Sequence, residues 1–281
     1  MDSLVFAAVL FAAAAHAGWN ATIKRGLDPL LTTVLISVGA GVVALPMLPI
    51  VGLPAAPAHP WVVASVLIHL AYFAGLIEAY RTGDMSQVYP IARGTAPLLT
   101  AIVSTTWLGE RLGLLGWTGL LCLVGGVFML SLRGGRDLAR LDRRALGFAL
   151  FTALTICAYS VVDGVGARAA GDAAAYTAAL FVGNAVIMAL YGLVRGGPKL
   201  FGDMPAVWLK GLGGGGLQLG SYWVAIWAMT VAPIAIVAAL RETSVLFGAL
   251  IAVVILKEPL RAIRVAAALL IVAGLVMIRI H

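Results

Sequence analysis

Charged residues are scarce in this chain. They make up 11% of its 281 residues, against about 25% in soluble globular domains. Hydrophobic residues make up 62%, and the mean hydropathy is +1.04. This composition excludes an ordinary soluble domain and predicts a multi-pass membrane protein whose main surroundings are the lipid bilayer.

Cysteines and catalytic motifs are also sparse. The two cysteines, Cys122 and Cys157, lie in apolar segments, and neither belongs to a CxxC or Cys/His cluster. This excludes a disulfide framework and gives no support to a metal site. The sequence contains no nucleophile elbow, Walker motif, HExxH or dinucleotide fingerprint. We therefore expect neither an enzyme nor a cofactor.

The chain contains ten segments of about 20 mainly apolar residues, the length that spans a bilayer as a helix. They lie near residues 4–23, 30–50, 61–80, 86–107, 112–132, 145–167, 173–194, 206–229, 233–256 and 262–280. Within the first, the apolar run of residues 4–17 ends in Ala15-His16-Ala17, which resembles a signal-peptidase site. The residues before this run carry no positive charge and apolar character resumes after Gly18, so we expect a retained helix.

The only long polar connection, residues 133–144, divides the chain into two halves of five spans, residues 1–132 and 145–281. An odd number of spans per half means that the halves enter the membrane from opposite sides. The sequence therefore predicts an all-α fold of two inverted five-helix repeats around a central cavity.

The formal net charge of +7 reflects basic connections between spans rather than a nucleic-acid-binding face. Of the 19 Lys and Arg residues, fourteen fall on one side of the predicted membrane, two lie within spans, and three fall on the other side: Arg111, Arg168 and Arg279. The positive-inside rule places the fourteen in the cytoplasm. We therefore expect the linker to be cytoplasmic and both termini to be periplasmic in a bacterial inner membrane.

Charged residues repeat at a fixed spacing in the two halves. Arg93 and Arg241 lie 148 positions apart (241 − 93), and Glu110 and Glu258 repeat this spacing (258 − 110). Many transporters are built from such repeats, with the substrate site where the repeats meet.

Arg93 and Arg241 are the strongest candidates for a substrate site, because an arginine at the centre of a membrane helix costs roughly 2.5–3.5 kcal/mol on insertion scales. Such residues usually face a bundle interior or an aqueous cavity. The alternative is a structural role, in which each arginine neutralises a neighbour such as Glu242, Glu78 or Asp163.

Proline and glycine mark the spans in which we expect irregular backbone. Pro90 and Pro97 flank Arg93, and Pro233 opens the ninth span, which predicts irregular helices in spans 4 and 9. The run Gly213–Gly216 in span 8 is either a hinge or a surface for close helix packing.

Other polar and aromatic residues in the spans are candidates for the pocket or for coupling. Carboxylates and imidazoles could exchange protons as the coupling ion: His16, His69, Glu78, Asp163 and Glu242. Residues that could line a substrate pocket, or else belong to the aromatic belt and to helix packing, are Trp19, Asn20, Tyr72, Tyr89, Gln218, Tyr222 and Trp223.

Several segments resemble the EamA family of the drug/metabolite transporter superfamily. They are Tyr89–Pro97 followed by Leu108–Arg111, the related Leu240–Leu246 followed by Leu256–Pro259, and His16–Asn20. The resemblance implies a basket-shaped ten-helix transporter that exports amino acids or related metabolites. Val245 at the position equivalent to Pro97, and Lys257 at that of Gly109, depart from the pattern.

The sequence thus predicts a secondary transporter, acting as a monomer or homodimer, that exports a small metabolite such as an amino acid by alternating access. An importer of organic anions is the first alternative, and it is favoured if both arginines hold the substrate. A membrane scaffold that transports nothing is the second alternative.

Overall fold

A computed structural model describes residues 1–23, 28–82, 85–131, 143–202, 204–254 and 262–280, and all regular secondary structure in these ranges is helical. The helices are α1 Ser3–Ile23, α2 Pro29–Ala44, α3 Leu48–Val51, α4 His59–Thr82, α5 Met85–Trp107, α6 Leu114–Ser131, α7 Arg143–Ala170, α8 Ala173–Gly196, α9 Lys199–Gly202, α10 Trp208–Val231, α11 Ile234–Arg241, α12 Ser244–Val254 and α13 Ala262–Ile280. Short 3₁₀ helices lie at Leu45–Met47, Ala56–Ala58 and Pro205–Val207.

Helix starts follow local capping rules. The Asp28 carboxylate accepts hydrogen bonds from the backbone N–H groups of Leu30 (2.9 Å) and Leu31 (3.2 Å), with Pro29 in the first turn of α2. Asp172 caps α8 by accepting from Ala174 N–H at 2.7 Å. These side chains satisfy backbone donors that have no partner within the helix.

Six helical segments in the described ranges are long and apolar enough to cross a membrane: Pro29–Val51, Ala56–Glu78, Leu146–Ala170, Ala173–Gly196, Ile234–Ile251 and Ala262–Ile280. Ser3–Ala17 and Leu114–Leu130 are shorter apolar helices. The protein is therefore an all-helical membrane protein, whereas the finer count of ten spans remains a prediction.

The prolines do not act as predicted. Helix α5 runs without a break from Met85 to Trp107 although it contains Pro97, so the expected irregularity of span 4 is wrong. Span 9 is irregular, but its break lies at Glu242–Thr243, between α11 and α12. Pro233 occupies the position just before α11, in agreement with its predicted place at the start of span 9.

The main helix contacts join the part of the chain before residue 133 to the part after it. Helix α2 packs on α8 and α10, α4 and α5 pack on α7, α1 packs on α10 and α12, and α6 packs on α13. Buried residues at the centre of these contacts include Val9, Leu123, Ile234 and Leu240. The two parts are therefore interlocked along their length.

Glycines allow the closest of these contacts. A Cβ atom on Gly215 of α10 would overlap backbone atoms of Gly39 and Ala40 in α2. Gly274 of α13 lies against the backbone of Gly119 and Leu123 in α6 in the same way. Helix α10 is continuous through Gly213–Gly216, so the run is not a hinge, and Gly215 is the position in it that packs closely on another helix.

Gly215→Ala is expected to destabilise the protein by about 1–3 kcal/mol, because the added methyl group meets backbone that cannot rotate away. Gly213→Ala is the matched control, since nothing lies within 4 Å of its Cβ position and alanine favours helix. Thermal unfolding of the purified proteins in detergent measures the difference. Equal unfolding temperatures for the two variants would contradict close packing at Gly215.

Candidate functional site

A small pocket lies between helices from both parts of the chain. Its lining comprises Ala12, Ala13 and His16 of α1, Arg93 of α5, Ser221 of α10 and Arg241 of α11. The empty volume is about 260 Å³, including open solvent at its mouth. The two arginines that the repeat spacing singled out therefore line one pocket, with His16 beside them.

Arg93 forms a buried ion pair in this pocket. Its Nε atom lies 2.7 Å from Glu242 Oε2, and the two side chains are 8% and 4% exposed. A second nitrogen of the guanidinium donates to Ser244 Oγ at 3.0 Å. Arg93 of α5 is thereby tied to both ends of the break between α11 and α12.

The break between α11 and α12 places opposite charges at helix ends that favour them. Arg241 lies in the last turn of α11, where the helix dipole is negative, and Glu242 lies two residues before the start of α12, where the dipole is positive. Thr243 lies between the two helices, and its hydroxyl donates to the carbonyl oxygen of Leu240 at 2.6 Å. The break therefore lies next to Arg241, the residue of α11 that lines the pocket.

Arg241 differs from Arg93 in its surroundings. Its guanidinium carbon lies 4.6 Å from the centre of the Tyr222 ring, a cation–π contact. No Asp or Glu oxygen of the described residues lies within 4 Å of its nitrogen atoms, and the side chain is only partly buried. Arg241 therefore keeps its charge available to the pocket.

Behind Tyr222 lies a buried carboxylate. Asp163 of α7 is fully buried, and each of its oxygens accepts a hydrogen bond from a tyrosine. Tyr176 of α8 donates to Oδ1 at 2.9 Å, and Tyr222 of α10 donates to Oδ2. Three helices thus meet at one acidic side chain.

Aromatic rings surround Tyr222. The His69 ring stacks on Tyr159 with 4.4 Å between centroids and meets Tyr222 edge-on at 5.8 Å. The Tyr72 ring contacts Tyr159 edge-on at 5.5 Å, and Phe181 contacts Tyr222 at 5.8 Å. The Nδ1 atom of His69 lies 2.9 Å from the backbone oxygen of Ser65. This cluster fixes the position of the Tyr222 ring beneath Arg241.

Of the other predicted site residues, some lie at the site and others lie away from it. Tyr72 belongs to the aromatic cluster, and Gln218 lies one helical turn before Tyr222 with its side-chain oxygen buried and without a hydrogen-bond donor among the described residues. Trp223 is 39% exposed on the outside of the bundle, since one residue along a helix turns the side chain by about 100°. Glu78 pairs with Arg195 at 2.6 Å near the end of α4, outside the pocket lining. Trp19, Asn20 and Tyr89 fall outside the residues whose side chains are described.

Sequence reasoning missed Ser244, Tyr159 and Tyr176 as members of the site. The four consecutive polar residues Arg241–Ser244 within an apolar span were a usable signal for a helix break. Tyr176 had no comparable signal, because its contact with Asp163 depends on how α7 and α8 pack.

The other member of the repeat spacing, Glu110, has a capping role away from the pocket. It accepts hydrogen bonds from Ile234 N–H at the start of α11 (2.9 Å) and from Arg168 (2.9 Å). Arg168 also donates to the backbone oxygens of Met229 and Ala232. These contacts hold the turn between α10 and α11. Glu258 lies outside the described residues.

Comparisons with known proteins agree with this architecture. The sequence profile of the EamA-like transporter family matches residues 2–132 and 143–280. No curated protein sequence matches the chain significantly. Twenty-nine chains of solved structures match in fold. One of them, described only as a crystal structure of a protein, superimposes with a TM-score of 0.77 at 19% identity, over 99% of this chain and 96% of that chain.

At 19% identity the solved structure supports the fold alone. The family profile covers nearly the whole chain, and members of this family are transporters of small molecules across a lipid bilayer. The chain is a multi-pass membrane protein and belongs to the EamA-like transporter family, within the drug/metabolite transporter superfamily.

Proposed function

We propose that the protein is a secondary transporter of the bacterial inner membrane that exports a small metabolite with a carboxylate group, such as an amino acid, by alternating access. One observation carries this proposal. Of the two arginines in the pocket, Arg93 is neutralised by Glu242, whereas Arg241 has no carboxylate partner among the described residues.

A carboxylate is the group that best matches Arg241. The planar guanidinium donates two parallel hydrogen bonds to a carboxylate, and bonds between charged groups are about twice as strong as neutral ones. Ser221 lines the same pocket and supplies a hydroxyl for a second polar group of the substrate.

Alternating access is supported by the way the two parts of the chain interlock. The pocket is lined by α1 and α5 from the first part and by α10 and α11 from the second. A shift of 148 residues places α4 on α10, α1 on α7 and α6 on α13. The contact of α4 with α7 is therefore equivalent to the contact of α10 with α1, and the equivalent helices α6 and α13 pack on each other. This supports two inverted repeats, residues 1–132 and 145–281, joined by the linker 133–144, with the site at their interface.

Export with periplasmic termini remains part of the proposal and rests on the distribution of basic residues. Import of organic anions is favoured less, because a substrate held by two arginines would have to displace Glu242 from its 2.7 Å contact with Arg93. A single available guanidinium suits a substrate with one carboxylate.

Flux in proteoliposomes tests the proposal, with a mixture of the twenty ¹⁴C-labelled proteinogenic amino acids as the probe. Vesicles preloaded with the unlabelled mixture are expected to exchange it for label faster than protein-free vesicles. Cells that overproduce the protein should retain less labelled amino acid than control cells if it exports. Exchange of labelled dicarboxylates but not of amino acids would support the importer alternative, and no exchange of either would contradict the proposal.

A further inference from the structure

Asp163 is a buried carboxylate outside the pocket lining, so binding of a metabolite at Arg241 does not explain its presence. Its side chain has no exposed surface, and no Lys, Arg or His nitrogen of the described residues lies within 4 Å of its oxygens. Its hydrogen bonds come from two phenols, on Tyr176 and Tyr222. An ionised carboxylate in such surroundings is costly, and the two phenol donors reduce this cost.

The strength of the two tyrosine bonds depends on the charge of Asp163. A hydroxyl bound to an ionised carboxylate makes a charge-assisted bond, about twice as strong as a bond to a neutral acid. Uptake of a proton by Asp163 therefore weakens the hydrogen bonds from both tyrosines. Loss of the proton makes these hydrogen bonds strong again.

Tyr222 connects this carboxylate to the pocket. Its hydroxyl donates to Asp163, while the face of the same ring lies 4.6 Å from the Arg241 guanidinium. Tyr176 also donates to Asp163 but makes no ring contact with an arginine among the described residues. One tyrosine therefore touches both Asp163 and the arginine to which we assign the substrate carboxylate, and the other provides a comparison.

We propose that Asp163 is the proton-binding site of this transporter, and that Tyr222 couples its protonation to substrate binding at Arg241. This inference rests on the proposed function. When Asp163 is ionised, Tyr222 is held in place beneath Arg241 and the substrate site is formed. When Asp163 takes up a proton, Tyr222 is released, Arg241 loses its ring contact, and the substrate leaves.

The exchange balances one proton against one substrate molecule. The proton adds to a carboxylate oxygen of Asp163 from the outer side and later leaves from that oxygen on the inner side, and no other covalent bond changes. Export of a zwitterion in this cycle moves one positive charge inward. A gradient of about one pH unit then sustains roughly a tenfold gradient of substrate, since one pH unit corresponds to a factor of ten in the equilibrium.

Other ionisable groups face this region from each helix packed around Asp163. His69 on α4 interacts electrostatically with Asp163 and with Arg241. Tyr159 on α7 interacts electrostatically with three further charged groups, which are Arg93 on α5, Arg241 on α11 and Glu242 at the α11–α12 break. The direct hydrogen-bond partners of Asp163 are Tyr176 on α8 and Tyr222 on α10.

Infrared difference spectroscopy tests proton binding without a substrate. Spectra of the purified wild-type protein at acidic minus alkaline pH should contain the carbonyl stretch of a protonated buried carboxylic acid. Asp163→Asn should lose this band. Tyr222→Phe and Tyr176→Phe should each shift it, because each removes one hydrogen bond. A band that persists unchanged in Asp163→Asn would overturn the assignment of the proton site.

Flux of the labelled amino-acid mixture tests the coupling. Wild-type vesicles with an acidic lumen should accumulate label up to roughly tenfold per pH unit. Asp163→Asn should lose most of the exchange and all of the response to the gradient, because a neutral side chain cannot provide the ionised state in which the substrate site is formed. Tyr222→Phe should lose most of that response, and Tyr176→Phe much less.

The outcomes separate the two proposals. Wild-type vesicles without any exchange contradict the proposed function, and the infrared result then decides the proton site alone. Wild-type exchange that ignores the pH gradient, an Asp163→Asn variant that still responds to it, or equal losses in Tyr222→Phe and Tyr176→Phe would each overturn the coupling. If Asp163→Asn fails to fold, the comparison of the two tyrosine variants decides.

Discussion

Arg241→Ala is expected to lower transport at least about tenfold, because a hydrogen bond between charged groups contributes roughly 1.5–3 kcal/mol. The guanidinium lies over Tyr222 at the pocket and has no acidic partner among the described residues, so its removal deprives a substrate carboxylate of its partner. Arg241→Lys should restore only part of the activity, since a single ammonium group cannot form two parallel hydrogen bonds to a carboxylate.

Arg195→Ala is the matched control for Arg241→Ala. Arg195 is 46% exposed and pairs with Glu78, so the same substitution there removes a surface contact worth about 0–1 kcal/mol. Exchange of the ¹⁴C-labelled amino-acid mixture in proteoliposomes measures both variants, after size-exclusion chromatography has shown that they are folded. Transport by Arg241→Ala at the rate of Arg195→Ala would show that Arg241 does not hold the substrate.

Glu242→Ala is expected to destabilise the protein by about 3–5 kcal/mol, because it leaves the Arg93 guanidinium buried without its carboxylate. The double variant Arg93→Leu/Glu242→Leu should recover most of this loss, since replacing both members of a buried ion pair by apolar residues is often neutral or stabilising. Thermal unfolding in detergent measures both effects.

Glu78→Ala serves as the control for Glu242→Ala. It breaks a partly exposed ion pair, with side chains 46% and 32% exposed, so its cost is about 0–1 kcal/mol. If Glu242→Ala unfolds at the same temperature as Glu78→Ala, the Arg93–Glu242 pair does not stabilise the break between α11 and α12.

The two arginines show what the repeat spacing could predict about the site and what it could not. Their spacing of 148 residues singled out both, and both line the pocket. The pattern treated them as equivalents, whereas the structure pairs Arg93 with Glu242 and leaves Arg241 over Tyr222. Glu242 is a possible neutralising neighbour from the sequence alone, but residue spacing cannot assign it to one of the two arginines.

Prolines do not mark the positions at which these helices break. Pro97 lies in the continuous helix α5, and span 9 breaks nine residues after Pro233 (242 − 233), at Glu242. In span 9 the polar run Arg241–Ser244 is stabilised by contacts with Arg93 on another helix, and these contacts compensate for the lost helical hydrogen bonds.

Composition and spacing by themselves determined that this chain is a helical membrane protein, that it carries a repeated unit, and that it resembles the EamA family. These are properties of local hydrophobicity and sequence order. The side of each helix that faces the pocket was left undetermined, because spans that are apolar all round show no periodic difference between faces. Only the tertiary structure decided that Tyr222 points inward and Trp223 outward, that Tyr176 and Tyr222 meet at Asp163, and that Glu242 neutralises Arg93. The physical reason is that such contacts depend on how helices distant in sequence rotate and pack against one another.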